Sequence, residues 1–207
     1  MTPFSPDLIQ GELWVQGIVF VIQKSAVWEP TLLDVLSQQW GPILHKGELY
    51  TFDTGSYYHP EMGSPLYRGV LGFSKLWPAS QLPLYKIQAT QIEQNLAQCR
   101  QKHNNATDNE PLFAVDNKPK TNEVVNRNYN LDPGYLDFDK CILASFKRSG
   151  PKIFLGQGVW GDMLLHYAKG HFEPFPWAFA DFKDKRYEKD LLRLRELYKK
   201  MLGKFKT

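Results

Sequence analysis

The sequence predicts an α+β fold. The expected domain is single, with a mostly antiparallel sheet, two or three helices on one face and a C-terminal amphipathic helix. Residues 13–22 form a continuous apolar, β-branched run, which is typical of a buried central strand. Residues 141–175 contain several strand-like segments separated by turn residues. Near the C-terminus, apolar residues recur at spacings of 4, 3, 4 and 3, as on one face of a helix. A mixed order of this kind favours an antiparallel sheet with helices packed on it.

The first half of the chain contains clear start and stop signals. Pro30 opens a short helix that ends at Trp40, because Gly41-Pro42 follows. Residues 43–53 are expected to form a second strand and residues 65–77 a third. In that third strand, side chains alternate between the two faces, so Arg68 shares a face with Val70.

The middle of the chain leaves two interpretations open. Ser80 caps a helix that runs to Cys99, or residues 82–86 form a strand and Thr90 caps a shorter helix. Residues 101–126 are rich in Asn, Asp, Lys and Pro, which predicts an exposed loop. Pro133-Gly134 predicts a tight turn, in which Asp132 accepts backbone hydrogen bonds.

Composition sets broad limits on function. The 207 residues are 43% hydrophobic and 23% charged, which is ordinary for one soluble globular domain. Residues 182–207 hold ten Lys or Arg and four Asp or Glu, so the predicted helix at about 185–203 is basic. Acids interleave with these cations and no aromatic residue lies on the charged face, so nucleic acid is not an expected partner. A protein partner of this helix remains open.

Cysteine usage and hydropathy indicate a cytoplasmic protein. Cys99 and Cys141 belong to no C-x-x-C motif, so neither a zinc ribbon nor a redox motif is supported, and reduced thiols are expected. The most apolar stretch is about half as long as a membrane span and contains Gln16, so no membrane association is expected.

The segment GQGVWG, residues 156–161, matches the glycine pattern of dinucleotide-binding loops, and Asp181 follows twenty residues after the last glycine. The residues after it alternate as a strand, however, and a phosphate loop needs a helix N-terminus. A bulged hairpin is the favoured interpretation. Asp162, inside this strand, is expected to form a salt bridge with a Lys or Arg unless it belongs to a site.

Carboxylates, tyrosines and a histidine crowd the segment FDTGSYYHPEMG, residues 52–63. Asp53 and Glu61 there, together with Asp132, are the candidate catalytic acids or bases. They are also the candidate ligands of a divalent cation such as Mg²⁺, which combines one or two carboxylates with substrate phosphates. His59 and His166 are interpreted as incidental.

Four cations, Arg68, Lys86, Arg127 and Lys147, are spaced so that the fold could gather them. The candidate ligands of an anionic group are Arg68, Lys86 and Arg127. Arg suits phosphate or carboxylate because its guanidinium group can donate hydrogen bonds to two oxygens at once. Tyr57 and Tyr58 would stack on the ligand or hydrogen-bond to it. The sequence therefore indicates binding of a phosphorylated or anionic small molecule, such as a nucleotide. The alternative is a non-enzymatic adaptor in which these charges form a structural network.

These motifs resemble a known family over nearly the whole chain. Four parts of the chain resemble the bacterial proteins called DUF4416. They are FDTGSYYHPEMGSPLYR, the set Lys86, Thr90 and Glu93, RNYNLDPGYL, and IFLGQGVWGDMLLHYAKGHFEPFPWAFADF. The resemblance marks the candidate acids, cations and tyrosines above as motif positions, together with Glu93, Asn130 and Tyr135, and Tyr135 is added to the candidate ligand-binding residues. The family has no known function, and some relatives carry a GTP-binding label. The resemblance therefore gives no residue a role.

Overall fold

The structure is a computed structural model that describes residues 8–9, 11–53, 56–105 and 127–205. The strands are β1 (Leu8–Ile9), β2 (Glu12–Gln23), β3 (Ile43–Lys46), β4 (Tyr50–Thr51), β5 (Tyr67–Pro78), β6 (Tyr129–Leu136), β7 (Lys140–Ser145), β8 (Ile153–Gly156), β9 (Val159–Ala168) and β10 (His171–Pro174). The helices are α1 (Pro30–Trp40), α2 (His59–Met62), α3 (Leu82–Asn105), α4 (Ala180–Lys183) and α5 (Glu188–Phe205). Short 3-10 turns precede α2 and α3.

The sheet is open and antiparallel throughout the described residues. Its strands follow the order β10-β9-β7-β6-β2-β5-β3, with β1 on β2, β4 on β5 and β8 on β9. Every residue of β2 from Val15 to Gln23 is buried, because β5 and β6 flank it and helices cover both faces. The predicted α+β fold and the predicted central strand are confirmed.

Two apolar layers hold the helices on the sheet. On one face, Leu32 and Leu36 of α1 and Ile92 of α3 belong to the cluster that contains Val19 and Val21 of β2. On the opposite face, α4 and α5 cover Ile18, Phe20 and Val70. The predicted C-terminal stripe is confirmed, since Tyr187, Leu191, Leu194 and Tyr198 are all buried. Burying that stripe against the sheet is what stabilises α5.

Two element predictions were wrong in detail. Residues 43–53 form two short strands, β3 and β4, because the chain turns tightly against β5 at Gly47, whose N–H donates to the carbonyl of Val70 at 2.8 Å. Of the two interpretations of residues 80–99, the longer helix is correct, because α3 begins at Leu82, but Ser80 donates its hydroxyl to Glu12 at 2.5 Å instead of capping the helix. The helix continues through residues 101–105 of the predicted loop, and residues 106–126 lie outside the described residues.

The tight turn predicted at Pro133-Gly134 does not form, because both residues lie inside β6. Gly134 is needed there for close packing: a Cβ on it would lie 2.2 Å from the carbonyl oxygen of Ile142 in β7. GQGVWG forms the predicted hairpin, in which Gln157 and Gly158 adopt positive φ angles between β8 and β9, next to a register shift in β8. Among the described residues, no helix is both long and apolar enough to cross a membrane.

Candidate functional site at the open edge of β6

The first half of β6 has an edge that no described strand covers. β6 pairs with β2 from Tyr129 onward, but β7 joins it only at Gly134. Side chains of α3 bind the backbone groups that lack a strand partner: Glu93 accepts from the N–H of Leu131 at 2.6 Å, and Lys86 donates to the Leu131 carbonyl at 2.9 Å. Lys86 and Glu93 are seven residues apart, so they project from the same side of the helix.

Asp132, the next residue of β6, collects three donors. Its carboxylate accepts from Arg68 at 3.3 Å, from Lys86 at 3.2 Å and from the Asn130 amide at 3.0 Å. Burial alone would raise the pKa of Asp132, but the charges of Lys86 and Arg68 and the bonds from Lys86 and Asn130 outweigh it and lower that pKa. Asp132 is therefore an ionised acceptor that holds the two cations in place.

Arg127 joins this strand edge to α2. Its Nε and Nη2 lie 2.7 and 2.6 Å from one oxygen of Glu61, and its Nη1 reaches Glu93 at 3.1 Å and Asn130 at 3.4 Å. Burial lowers the pKa of Arg127, but Glu93 and Glu61 reverse that effect and raise it. Burial also raises the pKa of Glu93, against the opposing effects of Lys86, the Leu131 N–H and Arg127.

Seven residues thus form one connected network, which we call the edge cluster. Its members come from α2, β5, α3, β6 and the residue two positions before β6: Glu61, Arg68, Lys86, Glu93, Arg127, Asn130 and Asp132. The parts of the chain that supply them are up to about 70 residues apart in sequence, and the sheet and α3 bring them together.

Arg68 anchors the edge cluster to the interior. Its side chain is 4% exposed, and its Nη1 donates to Asp181 at 2.9 Å while its guanidinium lies 5.1 Å from the ring centroids of Phe20 and Phe182. Asp181 also accepts from the Tyr187 hydroxyl at 2.9 Å. Burial would lower the pKa of Arg68, but Asp181 and its neighbours raise it, so the guanidinium stays charged.

Aromatic side chains lie beside the edge cluster on the segment that carries Glu61. Tyr58 is half-buried against Phe52 and Met62, and burial raises its pKa, with a further contribution from nearby Asp132. Tyr57 is 60% exposed, and the ammonium of Lys147 lies 3.7 Å from its ring centroid. A charged and aromatic surface therefore adjoins the cluster.

The structure brings most of the predicted site residues together. Five of them are members of the edge cluster: Glu61, Arg68, Lys86, Arg127 and Asp132. Two more, Tyr57 and Tyr58, adjoin it. Asp53 is exposed and has no hydrogen bond or ion pair with the described residues. Tyr135 lies elsewhere, at an apolar cavity, where burial and the charges of Asp137 and Cys141 raise its pKa to about 12.

The family resemblance marked Glu93 and Asn130 as motif positions without predicting them as site residues, and Asp181 was not a predicted site residue either. Asn130 shares a strand face with Asp132, but the predicted turn hid that relation. Glu93 lies seven residues after Lys86, a spacing that places both side chains on one side of a helix. That spacing could have predicted that Glu93 belongs to the same site as Lys86. Asp162 forms an ion pair with Lys152 at 3.3 Å, which confirms its predicted salt bridge.

The charges of the edge cluster are already paired. Arg68, Lys86 and Arg127 each have a carboxylate partner within 3.3 Å. In the described part of the chain, no group of three or more His, Cys, Asp or Glu side chains is placed to hold a metal ion. An incoming anion must therefore replace one of the carboxylates rather than enter an empty cationic pocket.

Sequence comparison agrees with these motifs. The family model described as "Domain of unknown function (DUF4416)" matches residues 14–108 and 112–198. The chain belongs to this family. All seven members of the edge cluster lie within the matched DUF4416 segments. No curated protein and no solved structure matches the chain significantly.

Proposed function

We propose that this DUF4416 protein binds a small molecule through a phosphate or carboxylate group at the edge cluster. The observation that carries the proposal is the pairing of Arg127 with Glu61, the most exposed carboxylate of the cluster. The Glu61 side chain is 37% exposed, whereas that of Glu93 is 5% exposed. Of the carboxylates that hold Arg127, Glu61 is the one that a ligand displaces at lower cost.

Glu61 shows how a ligand oxygen would be bound. Two N–H groups of the Arg127 guanidinium lie within hydrogen-bond distance of the same oxygen of Glu61. A phosphate or carboxylate oxygen of a ligand can take the place of that oxygen. α2, which carries Glu61, is only four residues long, so little structure must move when Glu61 leaves. Ligand binding is then an exchange of one carboxylate for another anion on Arg127.

Tyr57 and Lys147 favour a ligand with a flat ring as well as an anion. The Tyr57 ring is exposed, and it lies on the turn immediately before the helix that carries Glu61. The Lys147 ammonium lies 3.7 Å from the ring centroid and adds a cation beside that surface. A nucleotide combines a stacking base with phosphates, so it is the ligand class that these groups would suit.

Asp132 is suited to holding cations rather than to proton transfer. A general base needs a pKa near the working pH, and the lowered pKa of Asp132 makes its carboxylate a weak base. Asp132 instead fixes Lys86 and Arg68, whose charges face the same strand edge.

A thermal-shift screen tests the proposal, because a ligand that binds only the native state raises its melting temperature. The probes are GTP, ATP, pyrophosphate and inorganic phosphate. We expect at least one to raise the melting temperature of the wild-type protein and to lose that effect in Arg127→Gln. Glu196→Gln, which removes an exposed carboxylate of α5, serves as the control and should keep the full shift. Shifts of equal size in Arg127→Gln and in the wild type would refute the proposal.

A second candidate function follows from the complete pairing of the three cations. In it the edge cluster is a structural network, and the protein is a non-enzymatic adaptor that binds a protein partner through the basic face of α5. Arg193 and Lys200 are exposed on that face. Replacing both with Glu should abolish partner capture from a lysate while the melting temperature is unchanged. Deleting α5 would not be informative, since its apolar stripe is part of the core.

A further inference from the structure

β8 is a strand edge that the described residues leave without a partner on one side. It pairs with β9 through Ile153, Phe154 and Gly156, and no other described strand pairs with it. Ile153, Phe154 and Leu155 are 66%, 56% and 37% exposed. Three consecutive apolar side chains on a free edge are unusual, because soluble proteins protect such edges with charges, prolines or bulges that twist the edge away.

An apolar cavity of about 120 Å³ adjoins this strand. Ile153 and Leu155 of β8 form one wall, and Tyr135, Met163 and Trp177 contribute to the others. The Trp177 ring is 41% exposed and is held by a hydrogen bond from its indole N–H to the carbonyl of Met163 at 2.9 Å. A cavity of roughly 150 Å³ accommodates benzene, so this one suits a single apolar side chain.

The segment that contains β8 carries mostly positive charge. Residues 146–161 contain Lys147, Arg148 and Lys152 and no Asp or Glu. Lys152 is neutralised by Asp162. The guanidinium of Arg148 lies 5.9 Å from the Trp160 ring centroid, and that ring packs 5.0 Å from Phe154. Arg148 has no Asp or Glu partner within residues 146–161, so its positive charge lies beside the exposed side chains of β8.

We propose that β8 binds an extended, acidic segment of another protein as an additional strand. The bound segment would satisfy the free backbone groups of the edge, place one large apolar side chain in the cavity and set an Asp or Glu beside Arg148. Main-chain hydrogen bonds give affinity in this mode of recognition, and side-chain pockets give specificity. This proposal is independent of ligand binding at the edge cluster.

Selection from a displayed library of random twelve-residue peptides tests the proposal on the full chain. We expect enriched peptides that alternate β-branched residues, contain one aromatic residue or Leu, and carry at least one Asp or Glu. Arg148→Glu should lower the affinity of the acidic peptides about tenfold and shift the selection to Lys and Arg. Ile153→Asp should abolish binding, whereas Val27→Asp, at an apolar residue that is 70% exposed and far from β8 in sequence, should leave it unchanged.

Three outcomes would overturn the proposal. The first is a selection without enrichment over a library panned on the Ile153→Asp protein. The second is an unchanged charge preference in Arg148→Glu. The third is a wild-type dimer in analytical ultracentrifugation that Ile153→Asp converts to monomer, since a second copy of the chain would then occupy the edge. Equal melting temperatures of Ile153→Asp and Val27→Asp would exclude unfolding as the cause of lost binding.

Discussion

β6 and β8 both have edges that no described strand covers, and the two edges differ in what binds their backbone groups. Along β6, Lys86 and Glu93 of α3 bind the carbonyl and the N–H of Leu131. Along β8, no described side chain bonds to the backbone in this way, and Ile153 and Phe154 are exposed. Charged side chains of α3 cover the β6 edge, whereas no described strand or side chain covers the β8 edge in this way.

The buried charges of Lys86 and Glu93 have a structural role at the β6 edge. Burying Lys86 and Glu93 has a desolvation cost, but each side chain binds a backbone group of Leu131 and an opposite charge. A short apolar side chain at either position would leave that buried backbone group without a hydrogen bond. The same side chains gather Asp132 and Arg127 at the surface. Protection of the strand edge and the proposed ligand site therefore depend on the same residues.

The largest effect is expected from opening the β6 edge. Glu93→Ala removes the acceptor of the Leu131 N–H and one partner of Arg127, so it should lower the free energy of unfolding by about 3–5 kcal/mol, as is typical when a buried ion pair is broken. Urea denaturation measures this change. Glu93→Gln keeps an acceptor for the Leu131 N–H and should lose less. Equal losses in the two variants would show that the backbone bond contributes nothing.

A smaller and pH-dependent effect is expected at Asp132, whose side chain is 21% exposed. Its pKa is lowered in the folded state, so the ionised carboxylate stabilises the fold above its unfolded pKa of about 4, and that stabilisation is lost as the pH falls through the folded pKa. Asp132→Asn should cost about 1.5–3 kcal/mol at pH 7, the range for hydrogen bonds to charged groups.

The pH series checks that assignment. The difference in unfolding free energy between Asp132→Asn and the wild type should shrink steadily as the pH falls below about 4, where the unfolded carboxyl begins to bind protons. A difference that stays constant from pH 7 to pH 3 would contradict an ionic role for Asp132.

The sequence indicated the members of the edge cluster better than it indicated their geometry. Arg68, Lys86, Arg127 and Asp132 carry charges in segments of otherwise apolar pattern, and such residues need partners wherever they are buried. Their convergence depends on β7 joining β6 only at Gly134, a fact of strand register that one sequence does not encode locally. Pro133-Gly134 was predicted as a turn because local turn chemistry competes with a tertiary requirement for close strand packing.

The periodic elements were predictable for the opposite reason. β2, α1 and α5 bury whole faces or stripes, so their hydrophobic patterns alone identify them. The strand interpretation of residues 82–86 failed because a short alternating run cannot be told from the first turns of a helix by pattern alone. Asp181 was considered only as part of a nucleotide motif, and its contact with Arg68 spans 113 residues of sequence.

The smallest effect on stability is expected at the β8 edge. Phe154→Thr exchanges an exposed aromatic residue for a strand-forming polar one and loses the contact with the Trp160 ring, so the free energy of unfolding should fall by no more than about 1 kcal/mol. Urea denaturation of this variant beside Glu93→Ala sharpens the contrast between the two edges. A loss above about 2 kcal/mol would show that Phe154 stabilises the hairpin and that the β8 edge is not free.

Calorimetric titration of Glu61→Gln with the strongest anion from the thermal-shift screen tests whether a ligand replaces Glu61 on Arg127. If Glu61 occupies the ligand's place on Arg127, removing its charge should tighten binding by about fivefold, the equivalent of a partly exposed ion pair worth about 1 kcal/mol. Glu196→Gln should leave the affinity unchanged. Weaker binding by Glu61→Gln would show that Glu61 supports the ligand instead of competing with it, and would contradict the exchange on Arg127.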